Sequence, residues 1–183
     1  VFLKVAKNDA NGRPTPLTAG ELERFEFYLS QIKDAGVAIT VLNSPADKLK
    51  AEIVILYDPT ALNDTSISNP SEGHAPAEGD DSYRVITLSA DDPAREKGAI
   101  WEAVRKVITQ LPFNGEYRNA DLIAALLAVD GVKVADIESV KTAPAGATSD
   151  GDFSRVIGYS RPYSGYYDLT ELKIKARPYK ITE

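Results

Sequence analysis

The order of elements along this chain predicts an α+β fold: a mixed, largely antiparallel sheet with helices packed on one face. Three observations predict it. Strand-type runs fall in adjacent pairs between helical segments, whereas a doubly wound parallel sheet requires strict alternation of strand and helix. Residues 48–57 and 172–177 alternate apolar and polar side chains with a period of two, the mark of a strand with one wet face. Two other stretches repeat apolar residues at helical spacing. With 183 residues, 43% hydrophobic and 26% charged, the chain can bury a core without a covalent staple. The pattern divides it into residues 1–90, a strand-helix-strand-strand subdomain with a long loop at 59–82, and residues 91–183, two helices followed by strands. One compact unit is the alternative.

Residues 1–7 read as a strand already under way at Val1, which predicts a fragment of a longer or processed chain. Asn11-Gly12, Pro14 and Pro16 end that strand. Thr18 followed three residues later by Glu21 forms a capping box. Leu22, Phe25, Leu29 and Ile32 then predict a helix with one buried face, and Gly36 is positioned to end it in the left-handed conformation. Residues 37–42 are a short β-branched strand. In residues 48–57, Leu49, Ala51, Ile53, Ile55 and Tyr57 form the buried row, while Val54 and Leu56 make the second half apolar on both faces.

Residues 59–82 form a long polar loop. Residues 83–89 are the next strand. Asp92 and Pro93 start a helix with Glu96 in its first turn, lined by Ile100, Val104, Val107, Ile108 and Leu111 and stopped by Pro112. Asn114-Gly115 makes a tight turn between Phe113 and Tyr117. Asn119 is the expected cap of a shorter helix carrying Leu122, Ile123, Leu126, Leu127 and Val129, closed by Asp130-Gly131. Residues 132–142 form a strand whose alternation slips near Ala135 and Asp136, where a bulge is expected. After a soft loop at 144–152, residues 172–177 complete the sheet.

The composition excludes several kinds of chemistry. The chain has no cysteine, so disulfides, thiolate zinc sites and cysteine nucleophiles are ruled out. A net charge of -6 with pI ≈ 4.9, and basic residues scattered among carboxylates, give no field for nucleic acid or anionic membrane. No apolar run is long enough to span a bilayer. The single histidine, His74, lies in the long loop without the serine and carboxylate partners of a triad. The carboxylates at Glu78, Asp80 and Asp81, and at Asp150 and Asp152, lack the spacing of a calcium loop and read as solvated acidic loops. Phosphate-cradling and nucleophile-elbow patterns are absent from the sequence. The sequence therefore designates no catalytic, cofactor-binding or metal-binding residue, and no cofactor.

Tyr159, Tyr163, Tyr166 and Tyr167 crowd a short stretch around Gly158 and Gly165. Tyrosine offers rigid contact area with a polar tip, which suits a turn packed on the core, a protein interface or a sugar platform. Tyr163, Tyr166 and Tyr167 are the candidate protein-contact residues, together with the second half of residues 48–57.

Taken in order, these segments resemble the middle and C-terminal portions of baseplate J-like proteins. The resemblance rests on the capped helix ending Asp34-Ala35-Gly36, the strand reaching Ile55-Leu56-Tyr57-Asp58-Pro59, and the segment Leu111-Pro112-Phe113-Asn114-Gly115-Glu116-Tyr117. It continues through Leu122-Ile123-Ala124-Ala125-Leu126, Val129-Asp130-Gly131-Val132 and the box Tyr163-Ser164-Gly165-Tyr166-Tyr167. Such a resemblance implies a structural wedge component of a phage or prophage tail baseplate, without catalysis or cofactor. It further implies homo- or hetero-oligomeric contacts with other baseplate proteins, and a place in the virion tail after assembly in the host cytoplasm. The long acidic loop departs from the family pattern. The competing expectations are a metal-dependent phosphoryl- or nucleotidyl-transfer enzyme using the acidic loops, and a carbohydrate-binding tail module.

Overall fold

The computed structural model describes residues 1–62, 83–91 and 98–179. A five-stranded mixed sheet forms the centre. It is built from β5 (Asp47–Tyr57), β6 (Arg84–Ser89), β8 (Val132–Ala143), β9 (Ser154–Arg155) and β11 (Tyr167–Pro178), in the order β6-β11-β5-β8-β9. Only β11 and β5 run parallel, and the remaining pairings are antiparallel. Strands from residues 1–90 and from 91–183 thus share one sheet, with β11 lying between β6 and β5. The fold is α+β, with helices α2 (Ala99–Thr109) and α3 (Asn119–Leu127) against one face of the sheet and against each other.

The period-two pattern decides which face is covered. Leu49, Ala51, Ile53, Ile55 and Tyr57 are all buried, as are Leu172, Ile174 and Ala176 beside them and Ile86 and Leu88 on β6. They meet Ile100, Trp101, Val104 and Ile108 of α2 and Leu122 and Leu126 of α3 in a single core. Trp101 is a core residue that the helical spacing did not single out. The opposite face carries charge: Glu52 accepts from Lys173 at 2.7 Å and Lys175 at 3.2 Å, and Lys175 also pairs with Glu138. Val54 and Leu56 lie half-buried on this open face, with Val85 and Val134 exposed near them.

Residues 1–46 form a lobe of different character. β1 (Phe2–Lys4) pairs in parallel with β4 (Thr40–Leu42), β2 (Lys7–Asn8) pairs with β3 (Pro14–Thr15), and α1 (Ala19–Ile32) connects them. The capping box predicted at α1 is present: Thr18 accepts from the Glu21 amide, and Glu21 accepts from the Thr18 amide at 2.8 Å. The expected buried face is not. No residue of α1 is buried, and no residue before Asp47 is. Leu22, Phe25 and Leu29 are half-covered, while Ile32 is 57% exposed. Periodicity shows that a helix has an apolar side, but two short strand pairs offer too little surface to bury it.

Other boundaries shift for local reasons. The predicted strand at 1–7 is split between β1 and β2, and that at 37–42 shrinks to β4 because the Val37 amide is held by the Asp34 carbonyl in a turn. Gly36 is left-handed, at φ +87°, but in this turn; α1 has already ended, with Lys33 extended at its C-cap. The expected start of the second helix at Asp92, Pro93 and Glu96 lies outside the described residues, as do His74, Glu78, Asp80 and Asp81. Asn119 does not cap α3. Tyr117 and Arg118 pair as β7 with β10 (Tyr159–Ser160), the Asn119 amide donates to the Gly158 carbonyl, and Arg118 takes the N-cap position. The irregularities of β8 fall at Lys133 and Glu138, on either side of the expected bulge. β11 begins at Tyr167, earlier than alternation alone predicts, and shifts register at Thr170.

Candidate contact site

The two segments that stand out in the second half of the sequence meet in space. Pro112 to Gly115 form a turn closed by the Gly115 amide on the Pro112 carbonyl at 2.7 Å, with Asn114 left-handed at φ 62°. Asparagine tolerates that conformation better than most residues. The turn locks onto the tyrosine box: the Asn114 amide donates to the Gly165 carbonyl at 2.6 Å. The Phe113 and Tyr166 rings lie 6.2 Å apart. Gly165 has φ +106°, and a Cβ there would come within 2.6 Å of the Phe113 ring. Only glycine suits this position, both for its backbone conformation and for the ring above it.

Asp47 holds the box from below. Its side chain is buried and accepts from the backbone amides of Tyr163 and Ser164. Its own amide is met by the Ser164 hydroxyl at 3.1 Å and the Tyr166 carbonyl at 3.0 Å. A buried carboxylate is tolerated where backbone donors replace its water. Sequence reading missed Asp47, which looked like one more polar residue after Pro45. The N-terminal lobe reaches the same place: Lys4 Nζ donates to Asn114 Oδ1 and to the Pro162 carbonyl, each at 3.0 Å, and Tyr166 donates its hydroxyl to the Ser44 carbonyl at 3.0 Å.

The three candidate tyrosines divide. Tyr166 and Tyr167 are 9% and 6% exposed, and Tyr167 shares a hydrogen bond with Ser160 at 2.7 Å. Their rings serve the turn and the strand entry. Tyr163 is 65% exposed and Tyr159 64%, so these present their rings outward. Burial pushes the phenol pKa up at Tyr117, Tyr166 and Tyr167. The Tyr117 hydroxyl is buried without a hydrogen-bond partner among the described residues. Beside it Glu116 joins Arg118 and Arg161, and the Arg118 guanidinium foremost holds its carboxyl below the ordinary range.

The second acidic loop is occupied with its own structure. Asp150 pairs with Lys50 at 2.7 Å, which lowers its pKa. Asp152 closes a capping box at a short 3-10 turn, accepting from the amides of Ser149 at 2.9 Å and Thr148 at 3.0 Å. Among the described residues, no three histidine or acidic side chains converge as metal ligands. No helix among them is long and apolar enough to cross a membrane. A cavity of ≈ 250 Å³ lies between the β2–β3 hairpin, the end of α2 and the start of β11.

In comparisons with protein-family models, curated proteins and solved structures, nothing matches this chain.

Proposed function

We propose that this protein is a structural assembly component of the baseplate J-like kind, working in a phage or prophage tail baseplate through contact with neighbouring subunits and without catalysis. One observation carries the assembly reading: residues 1–46 bury none of their side chains fully, and Phe2, Phe27, Tyr28 and Ile32 are 84%, 67%, 58% and 57% exposed. Ordering a residue costs about 1–2 kcal/mol of backbone entropy, which a segment must offset by burying apolar surface. A lobe that does so only in part within its own chain gains stability from a neighbour. The tail-baseplate part of the proposal rests on the order of the sequence segments given above.

The test is incorporation. Tail particles purified from a producing host are expected to contain the chain at fixed stoichiometry by quantitative mass spectrometry. Replacing Phe27 and Tyr28 with Ser should deplete it from particles while its circular dichroism persists, and Tyr163→Ala should weaken incorporation less. Particles that never contain the chain would sink the baseplate assignment. Substrate turnover by the purified protein, lost on Asp150→Ala or Asp152→Ala, would sink the non-catalytic one.

A further inference from the structure

The cavity between the N-terminal lobe and the sheet has two chemistries. Ile108, Tyr166 and Tyr167, which line it, are buried, so its deep part is aliphatic and aromatic. Asp9, Arg13 and Asp168 also line it, and Arg13 and Asp168 are exposed, so its charged part faces water. The lining is mixed, apolar at depth and polar toward the opening, and a concave space set in the seam between two parts of a fold is a usual place for a small ligand.

The charges at this opening do not balance. Arg13 attracts both Asp9 and Asp168, yet among the described residues it forms an ion pair with neither. One oxygen of Asp9 accepts from the amides of Asn11 and Arg13, each at 2.8 Å. Asp168 is exposed as a residue, but desolvation is the largest influence on its carboxyl and raises its pKa, with the charge of Asp91 adding to the rise and Arg13 opposing it. One guanidinium therefore faces a surplus of negative charge beside an apolar recess.

We propose that this cavity binds a cation carried on an unbranched apolar stem, a primary alkylammonium, with the stem against the Ile108 and tyrosine wall and the ammonium between Asp9 and Asp168. The chemistry is that of a lysine side chain or of a small free amine. The proposal does not depend on the assembly reading.

The test is a ¹H–¹⁵N NMR titration of the whole protein at constant ionic strength with n-butylammonium, n-butanol and butyrate. The cation should produce saturable shifts at the amides of Arg13, Ala46, Leu111 and Asp168, and the alcohol and the anion should bind at least about tenfold more weakly. Asp168→Asn should weaken the cation by at least about tenfold. Arg13→Gln should tighten it, because the competing guanidinium is gone; a purely structural role for Arg13 would not do so. Titration with Nα-acetyl-lysine N-methylamide separates the sources. Tighter binding than n-butylammonium identifies a polypeptide lysine, and weaker binding a free amine. The proposal fails if no ligand saturates, if n-butanol binds as well as the cation, or if Arg13→Gln leaves affinity unchanged or lowers it.

Discussion

Substituting Gly165 tests whether the interlocked turns hold the fold together. At φ +106° an alanine is strained wherever its side chain points, at about 1–3 kcal/mol. Its Cβ would also lie 2.6 and 2.7 Å from two atoms of the Phe113 ring. Phe113 is 39% exposed, so the ring can swing outward, but it then leaves Tyr166. Aromatic pairs of this kind are worth about 0.5–1.5 kcal/mol. Gly165→Ala should therefore cost about 2–4 kcal/mol, a large share of the roughly 5–15 kcal/mol typical of a domain. Urea unfolding followed by the fluorescence of the single tryptophan, the buried Trp101, would measure it. A double-mutant cycle separates the two contributions. In a Phe113→Ala background the steric part vanishes and the cost of Gly165→Ala should fall by about 1 kcal/mol, leaving the backbone part. A cost within about 0.5 kcal/mol of zero, or no coupling between the positions, would refute the reasoning.

Three further outcomes follow from the same geometry. Asp47→Ala leaves the Tyr163 and Ser164 amides without their acceptor in a buried place, at about 1–3 kcal/mol for each orphaned donor; hydrogen exchange should rise first at 163–166. Glu21, bonded to Lys7 and to the Thr18 amide, has its pKa lowered from 4.5 to about 2. Because the folded value lies below the unfolded one, its contribution is complete above about pH 4.5 and is lost as pH falls toward 2. Amide shifts of Thr18 and Glu21 should then report fraying of α1 while the near-ultraviolet signal of Trp101 holds. The phenols of Tyr117, Tyr166 and Tyr167 have raised pKa values, so stability is intact below about pH 10 and declines as pH rises through the folded values. Ultraviolet difference titration should find these phenols ionising only as the sheet signal is lost, and full ionisation of all tyrosines in the folded state would contradict their burial.

Much of the architecture was legible because it depends on local periodicity. The alternation in residues 48–57 marked β5 as half-buried, and the structure makes it the central strand. The box of Thr18 and Glu21 marked the start of α1 to the residue. What local pattern could not supply was the partner of each apolar face. Leu22, Phe25 and Leu29 of α1 carry the same kind of signal as Val104 and Ile108 of α2, yet only α2 has a sheet to cover. The candidate site divides in the same way. Asn114-Gly115 and the tyrosine box were visible as turns, but nothing in their spacing said that they would touch, or which tyrosine rings would remain outside.

By itself, the amino-acid order determined the types of the main elements, the α+β class and the inner rows of β5 and β11, because side-chain direction follows from φ and ψ within a few residues. Tertiary structure alone decided that Asp47 sits beneath a turn more than a hundred residues away, that Tyr166 and Tyr167 face inward and Tyr163 outward, and that the first helix keeps Phe27 and Tyr28 in water. Burial depends on which surfaces meet, and those meetings join residues far apart in the chain, beyond the range of any repeating pattern.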